Sequence, residues 1–405
     1  MMNKINGMED ISVQGEKVLL RVDFNVPMDT ATGQITDAGR MIKSLPTIEL
    51  LLKKRAAIII ISHLGRPRNA KDDTLSLLRV SEKLKELLPG TPVHFCPYEK
   101  MFSLESVSEN LKPGEILVLD NIRFFPEETS ENEEERKKFA KKLAAMGDIF
   151  INDAFGACHR EHASVYELAT FLPSYAGLLL QKEINILNRA LTSPERPMTA
   201  IIGGSKVSSK INVIDYLIKR VDYILIGGAM AYTFLKSRGL RVGNSRVEND
   251  ILSQASQIID KAKFNECGFF LPEDHVISMD FSEKGKIKSS GLEIPEGWMG
   301  MDIGQKTLKK YEKIISESKT ILWNGPMGVF EMNSFSEGTM GIAKSVSKVK
   351  GTTIVGGGDS MLALKKSGLE DKITHISTGG GATLEFLEGR VLPGIKALVV
   401  EEESG

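Results

Sequence analysis

Short runs of aliphatic residues recur along nearly the whole chain, and amphipathic segments of helical length separate them. Continuous apolar runs are typical of strands buried on both faces, as in parallel sheets covered by helices. The pattern therefore predicts an α/β fold with doubly wound parallel sheets. The predicted strands are Lys17 to Val26, Ala56 to Ser62, Glu115 to Asp120, Asp148 to Asn152, Thr199 to Ile202, Tyr223 to Ile226, Thr320 to Trp323, Thr352 to Val355 and Ile373 to Ile376.

Several of the intervening segments have helical periodicity. Ser130 and Glu133 have the spacing of a capping box, so we expect them to open a helix from Glu131 to Met146. Further helices are predicted at Gly177 to Leu191, at Ile251 to Lys263, at Tyr311 to Ser316 and from about Ala163.

Chain length indicates more than one domain. The 405 residues exceed the roughly 250–300 at which a single core stops growing. Loops after predicted strands are rich in Arg and His in the first half and rich in Gly in the second. We therefore predict one domain at residues 1–172 and another at 192–391, joined by a helical hinge at 173–191.

Composition excludes several classes of function. The net charge of −1 argues against a general affinity for nucleic acid or for a membrane surface. The longest aliphatic stretch, Ala56 to Ile61, is too short to span a bilayer, and Met1 to Val22 contain no signal-peptide core. The three cysteines have no metal-binding spacing. We expect a cytoplasmic protein with reduced thiols.

Polar residues follow the first predicted strand, at the edge where ligands bind in open parallel sheets. Asp23 and Asn25 are two residues apart, so they share one face of an extended segment. They could hydrogen-bond a hydroxylated ligand, or they could close a turn before Pro27. For this motif alone the turn is the better interpretation.

Two later loops in the first half concentrate Arg and His: His63 and Arg66 on either side of a glycine turn, and His159, Arg160 and His162 together. For His63 and Arg66 alone, an ordinary packed or surface histidine is an equally good interpretation. Arginine forks match the oxygens of phosphate and carboxylate. Three cationic or potentially cationic residues within four positions favour a bound anion over a solvated loop. The first half therefore predicts a site for a small polyanion.

The second half instead carries glycine clusters, which let backbone N–H groups approach a polyphosphate. Gly203-Gly204 precede Lys206 and Lys210, which share one face of a predicted helix whose amino terminus attracts phosphate. The spacing is not that of a P-loop. For this motif alone, a glycine turn with two solvated lysines is an equally good interpretation. The runs Gly356 to Gly358 and Gly379 to Gly381 do not complete the dinucleotide fingerprint, so a nicotinamide-dependent dehydrogenase is disfavoured.

Asp359 lies just before the helix-like segment Ser360 to Lys365. Its carboxylate could hold Mg²⁺ through a nucleotide phosphate. An ordinary carboxylate at a helix amino terminus is the alternative, and it is preferred for this residue alone. Taken together, a polyanion site in one half and a nucleotide site in the other indicate phosphoryl transfer.

Seven segments, in their order along the chain, resemble the phosphoglycerate kinase family from Val18 to Gly394. One segment alone could mislead, whereas all of them in register are specific. The segments are RVDFNVP (Arg21–Pro27), SHLGRP (Ser62–Pro67), NDAFGACHREHAS (Asn152–Ser164), GGSKVSSK (Gly203–Lys210), WNGPMGVFE (Trp323–Glu331), GGGDS (Gly356–Ser360) and STGGGATLEFLEG (Ser377–Gly389).

The resemblance implies two Rossmann-like domains and reversible phosphoryl transfer from 1,3-bisphosphoglycerate to ADP, with Mg²⁺. It implies that Arg40 and Lys206 are catalytic, that Asp359 binds the metal, and that residues 392–405 return to the first domain of a monomer. The implied triose-phosphate ligands are Asp23, Asn25, Arg40, His63, Leu64, Gly65, Arg66, Arg123 and Arg160. The implied nucleotide ligands are Lys206, Lys210, Gly300, Asn324, Glu331, Gly357, Gly358, Asp359 and Ser360.

The chain also departs from the family pattern. Ser209 stands where the family usually has Asp, which leaves nucleotide preference open, and Ser360 replaces a customary Thr. A catalytically silent binding protein on the same scaffold is the alternative. The presence of Arg40, Lys206 and Asp359 argues against it.

Overall fold

The computed structural model describes residues 5–67, 72–103 and 108–399, and the chain divides into two compact units. Unit 1 runs to Asn185 and resumes at Val391, whereas unit 2 is the continuous stretch Ile186–Arg390. Each unit contains a six-stranded sheet in which all neighbouring strands are parallel. The doubly wound α/β prediction is confirmed.

Unit 1 has strands β1 (Lys17–Arg21), β2 (Ala57–Ile61), β3 (Val93–Cys96), β4 (Ile116–Leu119), β5 (Ile149–Asn152) and β6 (Ser174–Ala176). Their order in the sheet is β3-β4-β2-β1-β5-β6. The helices are α1 (Gly39–Lys53), α2 (Leu78–Leu87), α3 (Glu133–Ala144) and α4 (Leu178–Thr192), the last of which ends in unit 2.

Alternate residues of β1 enter hydrophobic clusters on opposite faces of the unit 1 sheet. Val18 and Leu20 pack in the cluster that contains Ile48 of α1, whereas Leu19 packs in the cluster that contains Phe139 of α3. Burial on both faces explains why continuous aliphatic runs, rather than alternating patterns, mark these strands.

Unit 2 has a parallel sheet of order β15-β14-β13-β7-β8-β9 and a separate antiparallel sheet of order β11-β10-β12. The strands are β7 (Met198–Ile202), β8 (Tyr223–Ile226), β9 (Gly268–Phe270), β10 (His275–Ser278), β11 (Ile287–Ser290), β12 (Met299–Ile303), β13 (Thr320–Asn324), β14 (Thr352–Gly356) and β15 (His375–Ile376). The helices are α5 (Ile211–Leu217), α6 (Met230–Ser237), α7 (Leu252–Phe264), α8 (Gln305–Glu317), α9 (Glu337–Val346), α10 (Gly358–Ser367) and α11 (Gly381–Leu387).

The chain returns to unit 1 after unit 2. Helix α12 (Pro393–Lys396) begins at its proline, and the N–H of Gly394 donates to the carbonyl of Cys158 at 2.9 Å. The N–H of Asn6 donates to the carbonyl of Leu398 at 3.1 Å. Residues near both ends of the described chain therefore pack in the same unit. Residues 400–405 lie outside the described residues.

Two predictions of where helices begin are wrong. Helix α3 begins at Glu133 with Asn132, not Ser130, as its N-cap: the Asn132 side chain accepts from the N–H of Glu134 at 3.0 Å. The Ser130 hydroxyl instead bonds to Glu135. No α-helix begins near Ala163, where the described chain forms turns followed by a 3₁₀-helix, Glu167–Thr170. Among the described helices, none has the length and apolar character needed to cross a membrane.

Candidate functional site

At the carboxyl edge of the unit 1 sheet, a salt bridge orients Arg40. Asp23 follows β1, and its Oδ2 accepts from Nη1 of Arg40, in the first turn of α1, at 2.8 Å. The Asp23 side chain is 10% exposed and that of Arg40 31%, so the guanidinium remains partly open to solvent. The pair presents a fixed positive group at this edge.

The predicted ligand Gly65 lies in a turn that two other candidate residues hold. Asn25 accepts from the N–H of Gly65 through Oδ1 at 2.9 Å, and Arg123 donates from Nη1 to the carbonyl of Gly65 at 2.7 Å. Gly65 has φ +58°, where an added Cβ would be 2.8 Å from Leu75. Leu64 is buried beside this turn, and Arg66 is exposed on it.

Beneath these groups lies a buried layer of side chains that sequence reasoning did not assign. Arg21 is fully buried, and its Nε donates to the hydroxyl of Ser164 at 2.9 Å. The hydroxyl and the N–H of Ser164 donate to Oε1 and Oε2 of Glu128 at 2.6 and 2.9 Å. Glu128 is also fully buried. Glu128 thus adds a second acidic group, after Asp23, to a site rich in arginine.

Neither His63 nor His162 adds to the positive charge of this site at neutral pH. Burial, followed by the charges of Arg123 and Arg21, lowers the pKa of His162 to about 3. Burial and then Arg21 hold the pKa of His63 well below its usual range. The positive charge therefore comes from the arginines, of which Arg160 is exposed.

In unit 2, glycines allow loops after neighbouring strands to touch. A Cβ at Gly203, after β7, would lie 2.0 Å from the carbonyl oxygen of Pro326, after β13. Gly228, after β8, has φ +69°, and a Cβ there would lie 2.5 Å from backbone atoms of Gly204. The N–H of Gly204 donates to the carbonyl of Pro326 at 3.1 Å. The glycine pairs thus serve close backbone packing.

A cavity of about 480 Å³ opens beside these loops, entirely within unit 2. The predicted residues Gly300, Glu331 and Asp359 line it, and a Cβ at Gly300 would be 2.0 Å from the Tyr232 hydroxyl. Sequence reasoning missed most of the wall, because single residues of a loop carry no spacing signal. The missed lining residues include Ser205, Ala229, Arg246, Phe281, Met299 and Val329.

The two lysines that the sequence treats alike differ in the structure. Lys206 is exposed. The ammonium of Lys210 instead donates to the carbonyl of Gly203 at 2.6 Å, and to the backbone and side-chain oxygens of Asn324 at 3.0 and 2.6 Å. Burial lowers the pKa of Lys210 to about 8. An ammonium has three protons, so Lys210 is fully used in joining β7 to β13.

The loop after β14 presents Asp359 at the start of α10. Gly357 has φ +91°, and the buried hydroxyl of Ser360 accepts from the N–H of Gly325 at 2.5 Å. Asp359 is exposed in the first turn of α10 and lines the cavity. Among the described residues, no group of three or more His, Cys, Asp or Glu could hold a metal ion.

The chain matches known proteins over nearly its full length. A family model described as phosphoglycerate kinase matches residues 8–390. The phosphoglycerate kinase of Leptospira biflexa is 51% identical, covering 99% of this chain and 100% of the relative. That of Pseudothermotoga lettingae is 45% identical, with 96% and 98% covered.

Solved structures agree with these relationships. The structure of phosphoglycerate kinase from Coxiella burnetii matches with a TM-score of 0.87 at 37% identity, covering 98% of this chain and 99% of that one. The structure from Pyrococcus horikoshii OT3 matches with a TM-score of 0.80 at 32% identity, covering 97% and 98%.

The full-length relatives identify the chain, with its two α/β units, as a phosphotransferase, an enzyme of the kinase class. The resemblance carried by the seven sequence segments is confirmed. The chain belongs to the phosphoglycerate kinase family. These relationships do not favour a catalytically silent binding protein.

Proposed function

We propose that this enzyme transfers a phosphoryl group reversibly between 1,3-bisphosphoglycerate and ADP, with Mg²⁺, as a cytoplasmic monomer in glycolysis and gluconeogenesis. It binds these small molecules and neither nucleic acid nor membrane. The observation that carries the proposal is the contrast between the two units. In unit 1, oriented arginines lie at the carboxyl ends of the parallel strands. In unit 2, a cavity lies beside loops whose backbones approach closely because glycines have no side chain.

The triose phosphate binds in unit 1. Its phosphate and carboxylate suit arginine forks, which Arg66 and Arg160 offer from exposed positions. Arg123 orients the Gly65 turn with one nitrogen and keeps other N–H groups for the ligand. The proposed contact set is Asp23, Asn25, Arg40, His63, Leu64, Gly65, Arg66, Arg123 and Arg160.

The nucleotide binds in the unit 2 cavity. Gly300 and Glu331 contact it directly, whereas Lys210, Asn324 and Ser360 hold the loops that shape the cavity. The residues proposed to contact the nucleotide or to shape its cavity are Lys206, Lys210, Gly300, Asn324, Glu331, Gly357, Gly358, Asp359 and Ser360.

A magnesium ion fits this cavity. Mg²⁺ is commonly held by one or two carboxylates together with substrate phosphates. Asp359 is an exposed carboxylate in the lining, and an ion held partly by the nucleotide needs no larger cluster of protein ligands. When bound, the ion would neutralise charge on the nucleotide phosphates.

The chemistry needs charge neutralisation and alignment rather than a general base. The acceptor in the ATP-consuming direction is a carboxylate, which is already ionised at neutral pH because such groups titrate near about 3–4. Arg40, held by Asp23, and the exposed Lys206 supply positive charge for the migrating phosphoryl group. Their nitrogens only donate, so they stabilise charge without moving a proton.

The hinge at residues 173–191 stays a prediction. An acyl phosphate hydrolyses unless water is excluded, which favours a closing motion once both substrates are bound. Small-angle X-ray scattering is then expected to give a smaller radius of gyration with both substrates than with either alone.

A coupled assay tests the proposed reaction. Purified enzyme with Mg²⁺ should consume ATP only when 3-phosphoglycerate is present, and Arg40→Ala should lower kcat by about 10²–10³-fold. Arg79→Ala removes an arginine that is 61% exposed on α2 and should leave kcat unchanged. ATP consumption that ignores 3-phosphoglycerate would contradict the proposal.

A further inference from the structure

The buried layer beneath the unit 1 site is a directed chain of hydrogen bonds. We infer that Glu128 and Ser164 are positioning residues: acting through Arg21, they hold His63 in its neutral Nε2–H form, with that ring proton available to the triose ligand. The inference rests on the proposed function of this site, and it adds the second-layer residues and the tautomer.

The direction of the first bonds is forced by chemistry. A guanidinium has no acceptor, so the 2.9 Å contact of Arg21 Nε with the Ser164 hydroxyl uses the hydroxyl oxygen as acceptor. The single hydroxyl proton of Ser164 is then directed to Glu128 Oε1, 2.6 Å away. The second carboxylate oxygen of Glu128 accepts from the N–H of Ser164 at 2.9 Å.

The same argument determines which ring nitrogen of His63 carries the proton. Nη2 of Arg21 lies 3.2 Å from Nδ1 of His63. Since the guanidinium can only donate, Nδ1 must carry a lone pair, and a neutral ring then has its proton on Nε2. A protonated ring would bring two donors face to face. Among the described residues, Nε2 of His63 has no hydrogen-bond partner.

The charges around His63 also favour its neutral form. The groups that face His63 are Arg21, Arg123, Arg40 and the neutral His162, and burial together with these neighbours lowers the pKa of His63. His63 as a whole is 5% exposed. It is therefore a neutral donor among cations, which binds an anionic oxygen by a hydrogen bond rather than by charge.

Glu128 and Ser164 are needed because Arg21 is fully buried. A buried cation without a paired anion is strongly destabilising, so the guanidinium stays where Ser164 and Glu128 satisfy it. Nη1 of Arg21 also donates to the carbonyl of Val22. Loss of the Ser164 hydroxyl leaves Arg21 Nε and Glu128 Oε1 each without a partner. The guanidinium then turns, and Nδ1 of His63 becomes free to take the proton.

Nitrogen-15 NMR of the full-length protein, with labelled histidine and no ligand, tests the tautomer directly. His63→Gln identifies the signals of His63 among the six histidines. We expect an unprotonated Nδ1 and a protonated Nε2, unchanged from about pH 5 to about pH 8. A protonated Nδ1, or titration of the ring within that range, would overturn the inference. This measurement needs no variant of Glu128 or Ser164 to fold.

Ser164→Ala tests the positioning role, and Ser81→Ala is the matched control. Ser81 is equally buried in unit 1, but its hydroxyl has no hydrogen-bond partner in the described chain. Ser164→Ala should give His63 a mixture of tautomers and raise KM for 3-phosphoglycerate about tenfold, with KM for ATP unchanged. Ser81→Ala should change none of these. Wild-type His63 signals and KM in Ser164→Ala would refute the role.

Addition of 3-phosphoglycerate separates this inference from the proposed function. The Nε2 signal of wild-type His63 should shift on addition of the ligand. If the Nε2 signal does not shift although the ligand-free tautomer is as expected, the proposed triose site is wrong. The ring proton of His63 then does not bind the triose ligand.

Discussion

The two units differ in what builds their carboxyl edges. In unit 1, side chains do so: Arg40 and Arg123 stand over a buried Arg21, which Glu128 offsets. In unit 2, backbone does so, because loops meet wherever a glycine such as Gly203 omits the side chain. An edge built from side chains should tolerate small changes of volume and respond to charge, whereas one built from backbone should respond to a single methyl group.

Gly203→Ala is the harshest test of that contrast. The new Cβ would lie 2.0 Å from the Pro326 carbonyl oxygen, so the loops after β7 and β13 must separate. We expect unit 2 to lose about 4–5 kcal/mol of unfolding free energy. Both tryptophans, Trp298 and Trp323, lie in unit 2, so their fluorescence in urea reports this unit.

Gly291→Ala is the matched control, since nothing lies within 4 Å of a Cβ at that position. It should shift the unfolding free energy by no more than about 0.5 kcal/mol. Equal urea midpoints for the two alanine variants would show that backbone contact does not limit this edge.

Lys206→Met tests whether a charge in unit 2 contributes to catalysis without contributing to stability. Because Lys206 is exposed, we expect the stability measured by tryptophan fluorescence to stay unchanged. Because its charge is proposed to stabilise the migrating phosphoryl group, we expect kcat to fall by about 10²–10³-fold. Lys219→Met, another exposed lysine of unit 2, should leave both quantities as in the wild type. Retained turnover in Lys206→Met would remove this lysine from the proposed chemistry.

Lys210→Met should show the opposite balance. Three oxygens, on Gly203 and Asn324, would lose their donor, and we expect unit 2 to lose about 3 kcal/mol of unfolding free energy. The same urea titration measures this loss, and Lys206→Met serves as its control. If Lys210→Met proves as stable as Lys206→Met, the two lysines are equivalent after all.

Asp302→Asn sharpens the comparison through pH. Asp302 is buried in β12, where its oxygens accept from the N–H groups of Ile303 and Gly338, and burial raises its pKa to about 7. Between the unfolded pKa near about 4 and the folded pKa, only the folded state holds the proton, so stability falls as pH rises. In the wild type, this carboxyl should lower the unfolding free energy by about 1 kcal/mol for each pH unit in that range, and Asp302→Asn should abolish this contribution.

Urea midpoints from tryptophan fluorescence at about pH 5 and about pH 7 measure the slope. Asp371→Asn, an exposed position of unit 2, should keep the wild-type slope. An unchanged slope in Asp302→Asn would show that this carboxyl does not titrate on folding.

The strands that sequence predicted are those with continuous aliphatic runs. The predictions missed the edge strands β3, β6 and β9, which have three or four residues and include partly exposed positions, and the small antiparallel sheet. β11, for example, has three exposed residues of four, so it lacks an apolar run. The predicted strand from Lys17 to Val26 is too long because Val22, Phe24 and Val26 are buried in loop rather than in sheet.

The candidate site was predictable where residue type alone indicates chemistry, as for the arginines and glycines. Glu128 was not, because it stands beside Glu127 in what looks like a solvated acidic run. Lys206 and Lys210 have equal status in sequence, and only tertiary packing separates an open ammonium from a saturated one. What sequence lacks is the identity of the neighbour across the fold.

The return of the chain to unit 1 sets an order for biosynthesis. Unit 2 is contiguous from Ile186 to Arg390, so its core can be completed as soon as the ribosome has released that stretch. Unit 1 must wait longer, because the partners of Asn6 and Cys158 are Leu398 and Gly394, which are translated after all of unit 2. A nascent chain that the ribosome has released through Arg390, but not yet through Leu398, therefore holds a complete unit 2 and an incomplete unit 1.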